Sequence, residues 1–157
     1  MSDAATIRLA NGAADIATVA TLFREYQTGL GVSLCFQDFD AELAQLPGAY
    51  AEPAGCILLA ERAGAALGAV ALRPIDRDTG EMKRLYLRDA ARGLGIGRKL
   101  AVGIMQAARD RGYRRMRLDT LPKLAAAIAL YGQLGFRLIA PYNDNPLPGV
   151  LFMEAEL

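Results

Sequence analysis

One stretch limits what this chain can fold into more than any other: Leu85-Tyr86-Leu87-Arg88-Asp89-Ala90-Ala91-Arg92-Gly93-Leu94-Gly95-Ile96-Gly97-Arg98. It opens as an apolar strand, crosses a glycine-rich turn and enters a helix. Gly93, Gly95 and Gly97 alternate with Leu94 and Ile96. Without a Cβ, glycine takes positive φ and lets a ligand approach the backbone amides. The first amides of a helix have no partner inside it, and the helix dipole puts partial positive charge there. Together with Arg92 and Arg98 these groups make a phosphate cradle.

The spacing rules out the commonest phosphate loops. A P-loop needs Gly-Lys-Ser/Thr after its first glycine and four further residues, and no such run occurs. A dinucleotide fingerprint needs G-x-G-x-x-G; counted from Gly93 its last position is Arg98, and counted from Gly95 it is Leu100. Asp119 does lie near the separation expected of a ribose-binding acid, so this count alone leaves a dinucleotide site open.

The rest of the chain supplies the frame. Thr6 to Leu9 reads as a short strand. Ile16, Val19, Leu22, Phe23 and Tyr26 recur at helical spacing, giving a helix over roughly residues 13–28, ended by Gly29 and Gly31. A shorter helix spans 37–46. Residues 54–61 and 66–73 are apolar runs around a glycine turn, a hairpin, and 81–88 is the next strand. Three strands in succession form an antiparallel meander, which speaks against a dinucleotide-binding domain. The helix after the glycine loop runs to about Arg111, with Leu100, Ile104, Ala107 and Ala108 inward. Residues 114–119 form a strand that must pair in parallel across this crossover. Pro122 opens a further helix through Leu124, Ile128, Tyr131 and Leu134. Strands at 136–139 and 150–157 flank a polar loop at 141–148. The expected order is β-α-α-β-β-β-α-β-α-β-β, an α/β sandwich.

A chain of 157 residues with 53% hydrophobic and 22% charged side chains fits one globular domain. A net charge of +1 without a basic run gives no nucleic-acid signal, and no apolar run is long enough for a membrane span. The first residues lack a signal-peptide core, so a cytoplasmic location is expected. Histidine is absent, which removes the commonest general base and metal ligand. Cys35 and Cys56 are not spaced as a ligand pair, so no metal is expected. Acid–base chemistry falls to carboxylates, tyrosines, lysines or water.

Arg92, Gly95 and Gly97 match R/Q-x-x-G-x-G/A, and Tyr131-Gly132-Gln133-Leu134-Gly135-Phe136 matches Y-x-x-x-G-F. By these two motifs, their order and spacing, the chain resembles the GNAT superfamily of acyl-CoA-dependent N-acetyltransferases. The resemblance covers most of the chain and is weakest in the first fifty residues. It implies a GNAT-like sandwich, a mixed sheet of six to seven strands with helices on both faces. It implies acetyl-CoA as cosubstrate, held by residues 85–87 and 92–98. Main-chain groups of Leu85 and Leu87 would meet the pantetheine arm and the thioester oxygen. Tyr131 would give a proton to the departing thiolate, a role suited to a phenol of pKa near 10. Leu124 stands where many members carry an asparagine that contacts CoA.

The base stays open between Glu81, Asp119 and a water chain. Glu81 is preferred, because strict alternation puts it on the face of Leu85 and Leu87. Tyr26, Phe36, Asp38, Tyr142, Asn143 and Asp144 are candidates for the acceptor pocket. The leading expectation is acetyl transfer to a small amine or amino acid. A protein or peptide acceptor, a non-catalytic acyl-CoA sensor of the same fold and a nucleotide-binding module are the competing readings. A homodimer is compatible with each of them.

Overall fold

The computed structural model describes residues 4–31 and 38–157. Phe36 therefore lies outside the described residues. The elements follow as β1 (Thr6–Leu9), α1 (Gly12–Leu30), α2 (Phe39–Ala44), β2 (Cys56–Arg62), β3 (Ala65–Pro74), β4 (Thr79–Leu87), α3 (Ile96–Asp110), β5 (Arg115–Thr120), α4 (Ala125–Gln133), β6 (Arg137–Ile139) and β7 (Leu151–Glu156). This is the expected order. The last helix starts three residues later than Pro122 suggests, because Leu124 adopts a non-helical conformation and serves as its N-cap.

The strands form a single sheet in the order β1-β2-β3-β4-β5-β7-β6. The β2–β3 hairpin closes with Arg62 opposite Ala65, so Ala63 and Gly64 alone make the turn, both at positive φ. Such a turn follows the twist of its strands. β2 is apolar without alternation because both of its faces are covered. Leu58 packs with α3, and Ile57 and Leu59 pack with α1 and α2. One core therefore joins Leu100, Ile104, Met116, Leu118 and Tyr131 on the α3–α4 face. The other joins Val19, Leu22, Phe23, Phe39 and Tyr50 on the α1–α2 face.

Two departures from regularity at β4 open the sheet. The first is a bulge. Lys83 lies opposite Ala71 and Tyr86 opposite Ala69, so Arg84 and Leu85 together face one residue, Val70. Arg84 sits at φ 60, outside the strand region. An extra residue bends the strand and advances the alternation by one. The second departure is the parallel β4–β5 ladder, which runs only from Thr79 opposite Arg115 to Glu81 opposite Arg117. Beyond it the two strands diverge and line a cavity of about 670 Å³.

Candidate active site

The cavity has two halves. On the α3–α4 side its walls are Leu85 and Leu87 of β4, the loop residues Gly93 and Gly95, and Leu130 and Tyr131 of α4. Gly93 and Gly95 have φ of 77° and 73°, and no atom lies within 4 Å of where a Cβ would stand on either. The backbone there is open to a ligand. Gly97 is different: a Cβ would sit 3.2 Å from Leu87, so its glycine lets helix α3 lie against β4. An open, positively polarised loop at the start of a fifteen-residue helix, next to an unpaired strand edge, fits a pyrophosphate with a long apolar arm.

Two residues of the sequence-predicted cradle send their side chains away from the cavity. Leu94 and Arg98 do not line the cavity. Leu94 points outward at 46% exposure, and Arg98 is drawn to the side-chain oxygen of Gln133 on α4. Arg92 does line it, exposed and beside Asp89 at 3.3 Å. Tyr86 turns its hydroxyl to Glu25 of α1 at 3.1 Å, so it contributes a wall rather than a polar contact.

The assignment of Glu81 to the face of Leu85 and Leu87 is corrected by the structure. The bulge at Arg84 shifts the phase, and Glu81 shares the α1–α2 face with Lys83 and Tyr86. Glu81 is 1% exposed and stands outside the cavity lining. Arg73 Nε donates to its Oε1 at 2.7 Å and the Tyr142 hydroxyl to its Oε2 at 2.5 Å. Tyr142 is likewise outside the lining, wedged between Phe152 and the Arg117 guanidinium. Asp38 lies before α2 and borders a separate recess of about 190 Å³.

The other half of the cavity is charged. Asp119, at the end of β5, lines it. Its Oδ2 accepts from Asn143 Nδ2 at 2.9 Å and Asn145 Nδ2 at 3.2 Å, and its Oδ1 lies 3.8 Å from Lys83 Nζ. Burial alone would raise its pKa, yet Lys83 and the two amides outweigh it and hold the carboxyl below the usual range. Lys83 is 6% exposed, and desolvation pulls its pKa down. Arg84 is bound bidentately by Glu42 of α2, at 2.9 and 3.1 Å, and lies over the Phe39 ring.

Tyr26 and Tyr131 also line the cavity, from opposite faces of the sheet, and burial pushes both phenols up. Each therefore stays a hydroxyl at neutral pH. Sequence reasoning gave no site role to Lys83 or Asn145. Two adjacent cations in the middle of a strand were the available signal for Lys83. Nothing local marked Asn145. Among the described residues no group of His, Cys, Asp or Glu could hold a metal.

A family model described as the Acetyltransferase (GNAT) family matches residues 18–136. The chain is 41% identical over 145 residues to an uncharacterized N-acetyltransferase of Schizosaccharomyces pombe, covering 91% of this chain and 89% of that protein. It is 32% identical over 130 residues to an uncharacterized N-acetyltransferase of Escherichia coli, covering 80% and 78%. A Salmonella typhimurium structure, solved with its cofactor acetyl-CoA, is 25% identical and superposes with a TM-score of 0.71 over 97% of this chain and 93% of that one.

Proposed function

The chain belongs to the GNAT acetyltransferase family, acetyl-CoA-dependent enzymes, and on that premise we propose that it acetylates the amine of a small molecule by direct attack on the thioester. The observation that carries this reading is the divergence of β4 from β5. It leaves the strand edge at Leu85–Leu87, the glycine loop and Tyr131 around one cavity with Asp119. Acetyl-CoA would supply an activated acyl group there.

The residues divide the work. The amides near Gly93 and Gly95 hold the pyrophosphate, and the β4 edge takes the pantetheine arm. A main-chain donor on that edge meets the negative charge that develops on the thioester oxygen. Asp119 orients the incoming ammonium. Its depressed pKa makes it a poor resting place for a proton, so the proton lost before attack passes to water at the cavity mouth. As the nitrogen–carbon bond forms, the carbon–sulfur bond breaks and Tyr131 gives its proton to the sulfur; the acylated nitrogen then sheds its surplus proton to water, and water returns one proton to the Tyr131 oxygen. Burial weakens this phenol as an acid, but a thiolate beside the same apolar wall is destabilised as well, so the transfer remains practicable.

The test is thiol release from acetyl-CoA across a panel of amines, amino acids and peptides, with mass detection of the acetylated product. Binding of acetyl-CoA without turnover of any acceptor sinks the enzyme reading in favour of a sensor. Turnover restricted to peptides or proteins sinks the small-molecule acceptor.

A further inference from the structure

The charged half of the cavity owes its buried charges to the strands. Lys83 and Arg84 stand on β4 and Asp119 on β5, and all three line the cavity. What closes over them from outside the strands is largely apolar. Leu30 ends α1, Leu121 and Leu124 lie between β5 and α4, and Leu147 lies in the loop between β6 and β7. Lys123, between the second and third of these, is exposed. The leucines and Tyr26 belong to one apolar cluster, distinct from the cluster that carries Leu87, Leu130 and Tyr131 on the other side.

The buried polar groups are engaged within the protein. Glu42 clasps Arg84 through Nε and Nη2. Lys83 faces both Asp119 and Glu81, and each carboxylate works against the desolvation that lowers its pKa. Asn143 and Asn145 donate to Oδ2 of Asp119, and Asn145 gives its own oxygen to the Leu147 amide. Tyr26 and Thr120 add only uncharged hydroxyls to the lining. Oδ1 of Asp119 stands 3.8 Å from Lys83 Nζ, beyond hydrogen-bond reach, so it has room to accept from an incoming ammonium. An acceptor thus meets a carboxylate for its nitrogen and leucine side chains for the rest of it. A hydroxyl or a second ammonium placed among those leucines loses its water and gains no partner there.

We propose that the acceptor is a primary amine with an apolar body, its ammonium on Asp119 Oδ1 and its hydrocarbon against Leu30, Leu121, Leu124 and Leu147. This rests on the acetyltransferase reading above and narrows its acceptor to a class. Leu30 and Leu121 are already buried, at 4% and 9% exposure. Leu124 and Leu147 are half-buried, so they have apolar surface to cover when a hydrocarbon arrives. Leu147 is then a specificity residue. It touches the acceptor but takes no part in bond making.

The experiment measures kcat/KM of the full chain, at saturating acetyl-CoA, for straight-chain amines from ethylamine to hexylamine. It should rise by about fourfold with each methylene, the factor that follows from burying one such group. Pentylamine should exceed aminopentanol and cadaverine, which end the same chain in a hydroxyl or a second ammonium, by roughly tenfold. Leu147→Ala, checked for its melting temperature, should lower kcat/KM roughly tenfold more for hexylamine than for ethylamine and leave KM for acetyl-CoA unchanged. A flat series, equal or better turnover of aminopentanol or cadaverine, or a Leu147→Ala effect equal at all chain lengths overturns the apolar acceptor and leaves the acetyltransferase standing. Turnover of amino acids or peptides with none of these amines does the same. If acetyl-CoA raises the melting temperature but neither these amines nor the panel above is acetylated, the enzyme reading itself fails and this inference with it. The wild-type series decides the matter even if Leu147→Ala does not fold.

Discussion

The two halves of the cavity use opposite means. The half proposed for the donor, around Leu85, Leu87 and Gly95, offers main-chain groups and apolar walls, and most of it comes from one run of the chain. The half proposed for the acceptor offers side-chain charges from β4, β5 and α2, and neutral side-chain amides from the loop between β6 and β7. A backbone site survives changes of side chain as long as the chain can still take its conformation. A site made of buried charges depends on each partner. One fold can thus keep its donor fixed and vary its acceptor.

The largest expected effect lies where the halves meet. Tyr131→Phe removes one hydroxyl and keeps the ring that packs at 5.7 Å against Phe136. If Tyr131 is the acid, kcat falls by about ten- to ten-thousand-fold while KM for acetyl-CoA moves little. A wild-type kcat with folded Tyr131→Phe would remove the acid role. The acid works protonated, and its pKa is raised, so this group should impose no alkaline fall in wild-type kcat below about pH 10.

In the donor half, Gly95→Val should abolish the melting-temperature rise given by acetyl-CoA. A β-branched residue is strained at φ 73° and covers the amides. Gly97→Val should do the same by pushing α3 off Leu87. Undiminished binding in both would move the cradle elsewhere. Lys99→Ala, exposed on α3, is the silent control.

In the acceptor half, Asp119→Asn should raise KM for the acceptor by roughly 10- to 100-fold and leave KM for acetyl-CoA nearly unchanged. A collapse of kcat with an unchanged acceptor KM would make Asp119 a base instead of an anchor. The smallest effect is expected from Asn145→Ala, which removes one hydrogen bond to Asp119. Acceptor KM should rise about two- to tenfold. If that variant damaged acetyl-CoA binding equally, the division into two halves would be wrong.

The structure of the half proposed for the donor was legible in the sequence for the same reason that it is robust. Its glycines, strand and helix are neighbours in the chain, and local spacing fixes which backbone groups converge. Tyr131 was singled out by its four-residue separation from Gly135, and the structure places it on the cavity wall. The element order followed from hydrophobic period, turn residues and the length of the α3 crossover.

The acceptor half was not legible. The assignment of Glu81 to the leucine face failed because alternation counts residues and cannot see a bulge. One extra residue at Arg84 turned Glu81 away from Leu85 and toward Arg73 and Tyr142. The Lys83–Asp119 pair joins residues that only diverging strands bring together, and Asn145 reaches Asp119 from 26 positions away. The sequence by itself determined the elements, their order and the glycine loop that opens α3, because those rest on interactions among near neighbours. The tertiary structure alone decided which charges meet in the cavity. Their meeting depends on where β4 bends, where it parts from β5, and which loop closes over the gap.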